Sequence, residues 1–270
     1  MFERAQRDLV LFSGKYAFNM QAILYMLIAA GVITRILWLI FINPEPVSDT
    51  QIYLTRASSI AQGEGYVYPD GSPTAYWPVG YPAFLGFFLW LTDGALLAGK
   101  VANIFLYCGT SFLIFEVAKR IRMEAGGLLS VLYLSLSPNQ IAYSNLFASE
   151  PLALFLLSAL VLLCMIISTS KSWPLAVLLG FFSALAIYVK PQLAVIPGII
   201  GVYLFLANKN YLYIGQIALV YLIAFLLIAP WAVRNYFVFE SFVSISNNGG
   251  INLYIGNNPL ANGGYIFNEE

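Results

Sequence analysis

Met20-Gln21-Ala22-Ile23-Leu24-Tyr25-Met26-Leu27-Ile28-Ala29-Ala30-Gly31-Val32-Ile33-Thr34-Arg35-Ile36-Leu37-Trp38-Leu39-Ile40-Phe41-Ile42 decides the fold. One charge, Arg35, interrupts an otherwise apolar run. About twenty apolar residues rising 1.5 Å each are enough to cross a bilayer core of about 30 Å. The run is too long for the core of a signal peptide, so it is expected to remain as a membrane helix. Just beyond it lies Val47-Ser48-Asp49-Thr50-Gln51-Ile52-Tyr53, which sets a carboxylate a few residues past the membrane face.

Composition extends this to the whole chain. Of 270 residues, 60% are hydrophobic and 10% are charged, with a mean hydropathy of +0.78. A soluble domain carries about a quarter charged residues, so this chain could not cover a water-facing surface. An all-α polytopic membrane protein is expected. The 13 basic and 13 acidic residues cancel, and no basic excess points to nucleic acid. Cys108 and Cys164 lie inside apolar runs and read as core thiols rather than a disulfide. With no histidine, acid–base chemistry falls to Asp, Glu, Lys or Tyr.

Hydropathy predicts about seven spans, over residues 20–42, 96–118, 126–142, 151–168, 173–189, 193–207 and 211–229. Arg4, Arg7, Lys15, Lys119, Arg120, Arg122, Lys171 and Lys209 then share one face, which the positive-inside rule makes cytoplasmic. Residues 81–91 are apolar but short. Making them a span would turn the 119–122 cluster outward, so they are placed as an interfacial helix on the outer face. Residues 1–229 thus form a transmembrane domain, with an outer loop over 43–80 that carries Asp49. Residues 230–270 begin a large outer-face loop.

Within the outer loop, residues 50–62 predict a short amphipathic helix, and Pro69-Asp70-Gly71 a turn. In the tail, residues 242–246 and 251–255 alternate about Asn247-Asn248-Gly249-Gly250, which predicts a short hairpin.

Two acids and two cations are predicted at the outer face: Asp49, Glu150, Lys190 and Arg234. Each has a plain structural alternative. Asp49 could be a solvated loop acid. Glu150 could favour a helix N-terminus, with Ser149 as cap and Pro151 at the first helical position. Lys190 could snorkel to headgroups, and Arg234 could anchor at the interface. Arg35 sits inside a span, where charge is costly and is either functional or paired. Glu116 lies within reach of Lys119 and Arg120, a local ion pair. Together the outer groups suit a reaction between an anionic lipid and a hydroxyl. A carboxylate base takes the proton, and a cation stabilises the departing phosphate.

Ser48-Asp49-Thr50 with Tyr53, residues 77–84, Ser149-Glu150-Pro151, and Pro230-Trp231-Ala232-Val233-Arg234-Asn235-Tyr236 with residues 247–259 carry a family resemblance. Over nearly its whole length the chain resembles the GT-C glycosyltransferases, in particular the bacterial branch similar to protein O-mannosyltransferases and the lipid A aminoarabinose transferases. The resemblance implies a GT-C-like bundle with juxtamembrane helices on the outer face. It implies inverting transfer from a polyprenyl-phosphate-linked sugar to a lipid, glycan or protein acceptor, at the outer side of the inner (plasma) membrane. Asp49 would be the base and Glu150 a second acid near the acceptor. Arg234, Lys190 and Arg56 are the candidate ligands of the donor phosphate. Tyr53, Tyr76 and Trp77 would shape the substrate site. Some relatives have an acidic–basic pair where this chain has Tyr76-Trp77. Relatives also continue through further spans, so a C-terminally truncated chain is expected.

No cofactor is required by this chemistry. A divalent cation near Asp49 or Glu150 stays open, without a ligand spacing to support one. The rival classes are a transporter or flippase of a lipid-linked substrate and a non-catalytic transferase homologue. A transporter would place its ionisable groups near the midplane on broken helices.

Overall fold

The computed structural model describes the backbone of residues 2–42, 44–259 and 261, with side chains from residue 20 onward in those ranges. The side chains of Arg4, Arg7 and Lys15, and the last residues of the tail, lie outside them. The helices run α1 (Phe2–Phe41), α2 (Asp49–Ala61), α3 (Gly80–Leu91), α4 (Leu96–Arg120), α5 (Glu124–Leu136) and α6 (Pro138–Asn145). Then come α7 (Glu150–Ser170), α8 (Trp173–Val189), a 3-10 turn (Pro191–Ala194), α9 (Val195–Asn208), α10 (Leu212–Phe239) and α11 (Gly249–Asn257). Among the described residues the β pairing is a single bridge, Val67 to Pro73.

Met20–Phe41, Leu96–Arg120, Glu150–Ser170, Pro191–Asn208 and Leu212–Phe239 are long and apolar enough to cross a membrane. The burial pattern agrees. Small polar groups such as Asn103, Ser111, Ser135 and Ser183 are buried between helices, whereas Phe105, Tyr203 and Phe225 point outward. A soluble protein sorts its residues the other way, and lipid permits this arrangement. The chain is an all-α polytopic membrane protein.

Two of the expected spans are shorter than a membrane helix. At 17 residues α8 is roughly 26 Å long, and it packs between α7 and α10. The span expected over 126–142 is broken. Pro138 has no N–H, and its ring drives Ser137 to an extended conformation (φ −64°, ψ 120°), so α5 stops at Leu136 and α6 starts afresh.

That break explains Arg35. In a continuous helix the Leu134 carbonyl would accept from residue 138, which has no proton to give. Arg35 Nη2 donates to that carbonyl at 2.9 Å. Its Nε reaches Ser144 Oγ at 2.8 Å and its Nη1 the Gly31 carbonyl at 3.0 Å. The guanidinium lies 3.6 Å over the Tyr107 ring. The charge inside α1 is therefore a staple across a broken helix, fully buried and fully engaged. Glu116 pairs with Lys119 at 3.7 Å, as its spacing suggests.

The ends of the bundle separate the loops. Tyr213 donates to the Ser168 carbonyl at 3.0 Å and Gln216 to that of Ser172 at 3.4 Å, so the turns holding Lys171 and Lys209 are neighbours. At the other end α2 and α3 cap the bundle. Tyr53, Ala57, Tyr81, Leu85 and Leu89 are buried in one core with Phe147, Leu152 and Val189. Gly80 opens α3 against the last turn of α8. A Cβ there would lie 2.5 Å from the Tyr188 carbonyl carbon, so only glycine permits the approach.

The tail differs from expectation twice. Helix α10 does not stop before Pro230 but runs on to Phe239. Tyr188 donates to the Leu227 carbonyl at 3.0 Å, beside the position the proline disturbs. The expected hairpin is absent, because residues 251–255 belong to α11. Val243 and Ile245 are buried at alternate positions, but they wrap over the end of α10. Asn235 Nδ2 donates to the Val243 carbonyl and Trp231 Nε1 to that of Ile245, each at 3.0 Å. Alternate burial here comes from docking, not from a strand partner.

Candidate functional site

Helix α2 starts at Asp49, and the residue before it is held in an unusual conformation. Ser48 has φ 52° and ψ −129°. Such a backbone costs on the order of 1–3 kcal/mol and persists only where its surroundings enforce it. Thr50 supplies the enforcement. Its hydroxyl accepts from the Val47 amide at 2.9 Å and donates to the Val47 carbonyl at 2.8 Å. Asp49 is thereby fixed in the first turn of α2, exposed at the mouth of a cavity.

That cavity has a volume of about 730 Å³. Asp49, Arg56, Tyr68, Tyr76, Trp77 and Asn252 contribute to its lining. Arg56 follows Asp49 by seven residues, two helical turns, so both lie on one face of α2, about 10 Å apart along the axis. Arg56 is 6% exposed. Its Cζ lies 4.6 Å over the Tyr68 ring, yet its buried Nη1 has no hydrogen-bond partner. No described residue forms an ion pair or hydrogen bond with its guanidinium. A buried arginine with unmet donors is expensive, and the natural complement is an anion that the cavity admits.

Trp77 and Asn252 also line a second cavity of about 330 Å³, together with Tyr53 and Lys190. Lys190 Nζ is 3.0 Å from Glu150 Oε1. The two charges from the starts of α7 and the 3-10 turn therefore meet each other. Ser149 does not cap α7. Its hydroxyl instead lies 3.5 Å from that of Tyr53. Tyr53 packs edge-on against Tyr81 at 5.2 Å, with Trp77 at 6.2 Å. Burial is the main cause that raises the Tyr53 phenol above its ordinary range, with the Ser149 hydroxyl opposing.

Arg234 is brought to the same end of the bundle but not into either cavity lining. Its Nη1 donates to the Thr74 carbonyl at 3.0 Å and to Asn235 Oδ1 at 2.9 Å, and Nη2 reaches the Tyr66 carbonyl at 3.3 Å. It also lies 4.9 Å over the Trp231 ring. Its donors hold the loop between α2 and α3 to α10. The loop itself is closed by the expected turn. Tyr68 N donates to Ser72 O at 2.7 Å, and Gly71 takes the positive φ of 82°. The Ser72 hydroxyl first, and then its amide, donate to Asp70, holding that carboxyl below its ordinary range. Tyr66 donates to the Trp77 carbonyl at 2.9 Å, and so ties the loop to a residue that lines both cavities.

The fold gathers the expected site residues Asp49, Arg56, Tyr53, Tyr76, Trp77, Glu150 and Lys190 at one end. Asn248 and Asn252 also line cavities there; they lie within the 247–259 segment that carries the resemblance but were not singled out from sequence. Among the described residues no group of three or more His, Cys, Asp or Glu stands in reach of a common metal ion.

A polytopic helical bundle capped by two juxtamembrane helices, with an acid and a buried cation lining one cavity, has the layout of a GT-C membrane glycosyltransferase. Residues 77–233 match the family model described as dolichyl-phosphate-mannose-protein mannosyltransferase, and the chain belongs to that family. A comparison with curated proteins finds no match. Trp77 opens the matched segment, which also holds Glu150 and Lys190; Asp49, Tyr53 and Arg56 precede it.

Proposed function

We propose that this glycosyltransferase moves a sugar from a polyprenyl-phosphate donor to an acceptor hydroxyl, with inversion, using Asp49 as base and Arg56 as the main ligand of the donor phosphate. The observation that carries this is the pairing on α2: an exposed carboxylate and, two turns on, a buried guanidinium with no acceptor, lining one cavity.

The distance suits the chemistry. In an in-line displacement the acceptor oxygen attacks the anomeric carbon opposite the leaving phosphate. Bond lengths, a reacting distance near 3 Å and a hydrogen bond near 2.7 Å place the phosphorus roughly 9 Å from the base. The backbone rise from Asp49 to Arg56 is of the same order, about 10 Å. The acceptor C–O bond forms at the anomeric carbon as the carbon–oxygen bond to phosphate breaks. The hydroxyl proton passes to Asp49. The bonding electrons leave with the polyprenyl phosphate, whose charge Arg56 meets.

Lys190 is the second phosphate candidate. Its pairing with Glu150 leaves it a smaller part, in the lining of the second cavity. Arg234 serves by holding the loop. Tyr76 and Trp77 form the wall along which the donor lies. In this reading the end of the bundle that carries the site faces outward, which the charge bias of the loops supports. Support for the transferase over a transporter comes from depth. The engaged Arg35 is structural, and the unengaged groups collect at one end.

The test is donor class. Membranes carrying the chain should transfer labelled hexose from a polyprenyl phosphate to endogenous acceptor and none from a nucleotide sugar. Transfer from the nucleotide sugar alone would overturn the proposal.

A further inference from the structure

The turn that delivers Asp49 is strained, and stability alone does not explain it. Thr50 N donates to the Val47 carbonyl at 3.2 Å, so residues 47–50 form a β-turn. At its first central position Ser48 has φ 52° and ψ −129°. That is the geometry of a type II′ turn, where glycine is the ordinary residue. Ser48 also stands at the N-cap of α2, a favoured place for serine, yet its hydroxyl makes no cap hydrogen bond. One residue thus carries backbone strain and forgoes a cap. Core packing does not impose this. Val47 is 67% exposed, and Ser48 and Asp49 are exposed as well.

Hydrogen bonds hold the turn instead. Gln51 N and Ile52 N both donate to the Ser48 carbonyl, at 3.1 and 3.2 Å. Those bonds suffice for a glycine, which takes positive φ freely. For serine, the Thr50 hydroxyl adds a clasp on both polar groups of Val47, the amide at 2.9 Å and the carbonyl at 2.8 Å. The return is position. Asp49 shares a face with Arg56 only while it is helical, and the first turn of a helix frays most readily. A relaxed, extended Ser48 would release Asp49 from that turn and from its place in the cavity lining. Strain of this kind gathers at functional sites, where it holds groups ready.

We propose that Thr50 is a positioning residue: its hydroxyl clasps Val47, locks Ser48 in the strained turn and so fixes the Asp49 carboxylate for proton transfer, without touching substrate. What the lock is for rests on the transferase function above; the lock itself does not.

Thr50→Val keeps the side-chain shape and loses both hydrogen bonds, whereas Thr50→Ser keeps the hydroxyl. The chain is assayed in lipid nanodiscs with a polyprenyl-phosphate hexose as donor. Thr50→Val should lower kcat about 10- to 100-fold and leave the donor KM within a few-fold, because Arg56 is untouched. Thr50→Ser should stay within a few-fold of wild type. Adding Ser48→Gly to Thr50→Val should restore most of the lost kcat, a rescue that a threonine needed only for folding does not predict. Wild-type kcat in Thr50→Val, or a loss that Ser48→Gly fails to recover, would overturn the proposal. Thermal melting reads the lock without turnover. Ser48→Gly should raise the midpoint by about 2 °C or more while Thr50 is present, and by less beside Thr50→Val, where the serine is already free to relax. Equal shifts in the two backgrounds would overturn the lock. Unequal shifts in a chain that transfers from no polyprenyl donor would keep the lock and remove the proposed reaction.

Discussion

Arg56→Met should make the protein more stable and less able to bind donor. The guanidinium is buried beneath the cavity, with one aromatic face for company and no ion pair among the described residues. Replacing buried charge by a hydrophobic side chain of similar volume is often stabilising by about 1–4 kcal/mol. The contact with Tyr68 offsets about 0.5–1 kcal/mol of this. A net gain of up to about 3.5 kcal/mol remains, seen as a higher melting temperature in detergent. Donor binding moves the other way. A forked phosphate contact is two charge-assisted hydrogen bonds, each about 1.5–3 kcal/mol. Losing both costs about 3–6 kcal/mol, or roughly two to four orders of magnitude in donor affinity. Structural arginines do not give opposite signs in the two assays. A variant that melts lower and binds donor as the wild type does would refute the assignment of Arg56.

Arg35→Lys keeps the charge but cannot span Gly31, Leu134 and Ser144 at once, so two hydrogen bonds are lost. A stability loss of about 3–5 kcal/mol is expected by unfolding in mixed micelles, and an unchanged midpoint would contradict the staple. Asp70 should titrate below the ordinary carboxylate value of about 3.9, and Ser72→Ala should move it back up, as read by carboxyl NMR. Because the folded value is the lower one, the turn's share of stability is present above about pH 4 and fades as pH falls through the folded value; a Ser72→Ala midpoint equal to wild type would remove that hydrogen bond from the account.

Much of this was legible in the sequence because a bilayer writes its demands into composition. The five membrane-length helices, the brevity of α3 and the amphipathic α2 follow from apolar run length and period. The broken third span was missed because a hydropathy window averages across Ser137-Pro138, although the proline itself marked the break. The tail was misread for a different reason. Val243 and Ile245 alternate with polar residues as strand residues do, yet it is the end of α10 that buries them. At the site, Asp49 and Arg56 share a helix face by spacing alone. Arg234 shows what spacing does not carry: its acceptors are the carbonyls of Thr74 and Tyr66, 160 and 168 residues earlier in the chain. The same holds for the freedom of the Arg56 donors. An absent partner is a property of the assembled loop and leaves no local mark.

The central claim is that the carboxylate of Asp49 takes the acceptor proton. Asp49→Asn keeps the shape of the side chain and removes the base. It should bind a polyprenyl-phosphate sugar as the wild type does and lose transfer by a factor of about 10²–10⁴. Transfer within a few-fold of wild type, at unchanged donor affinity, would contradict it.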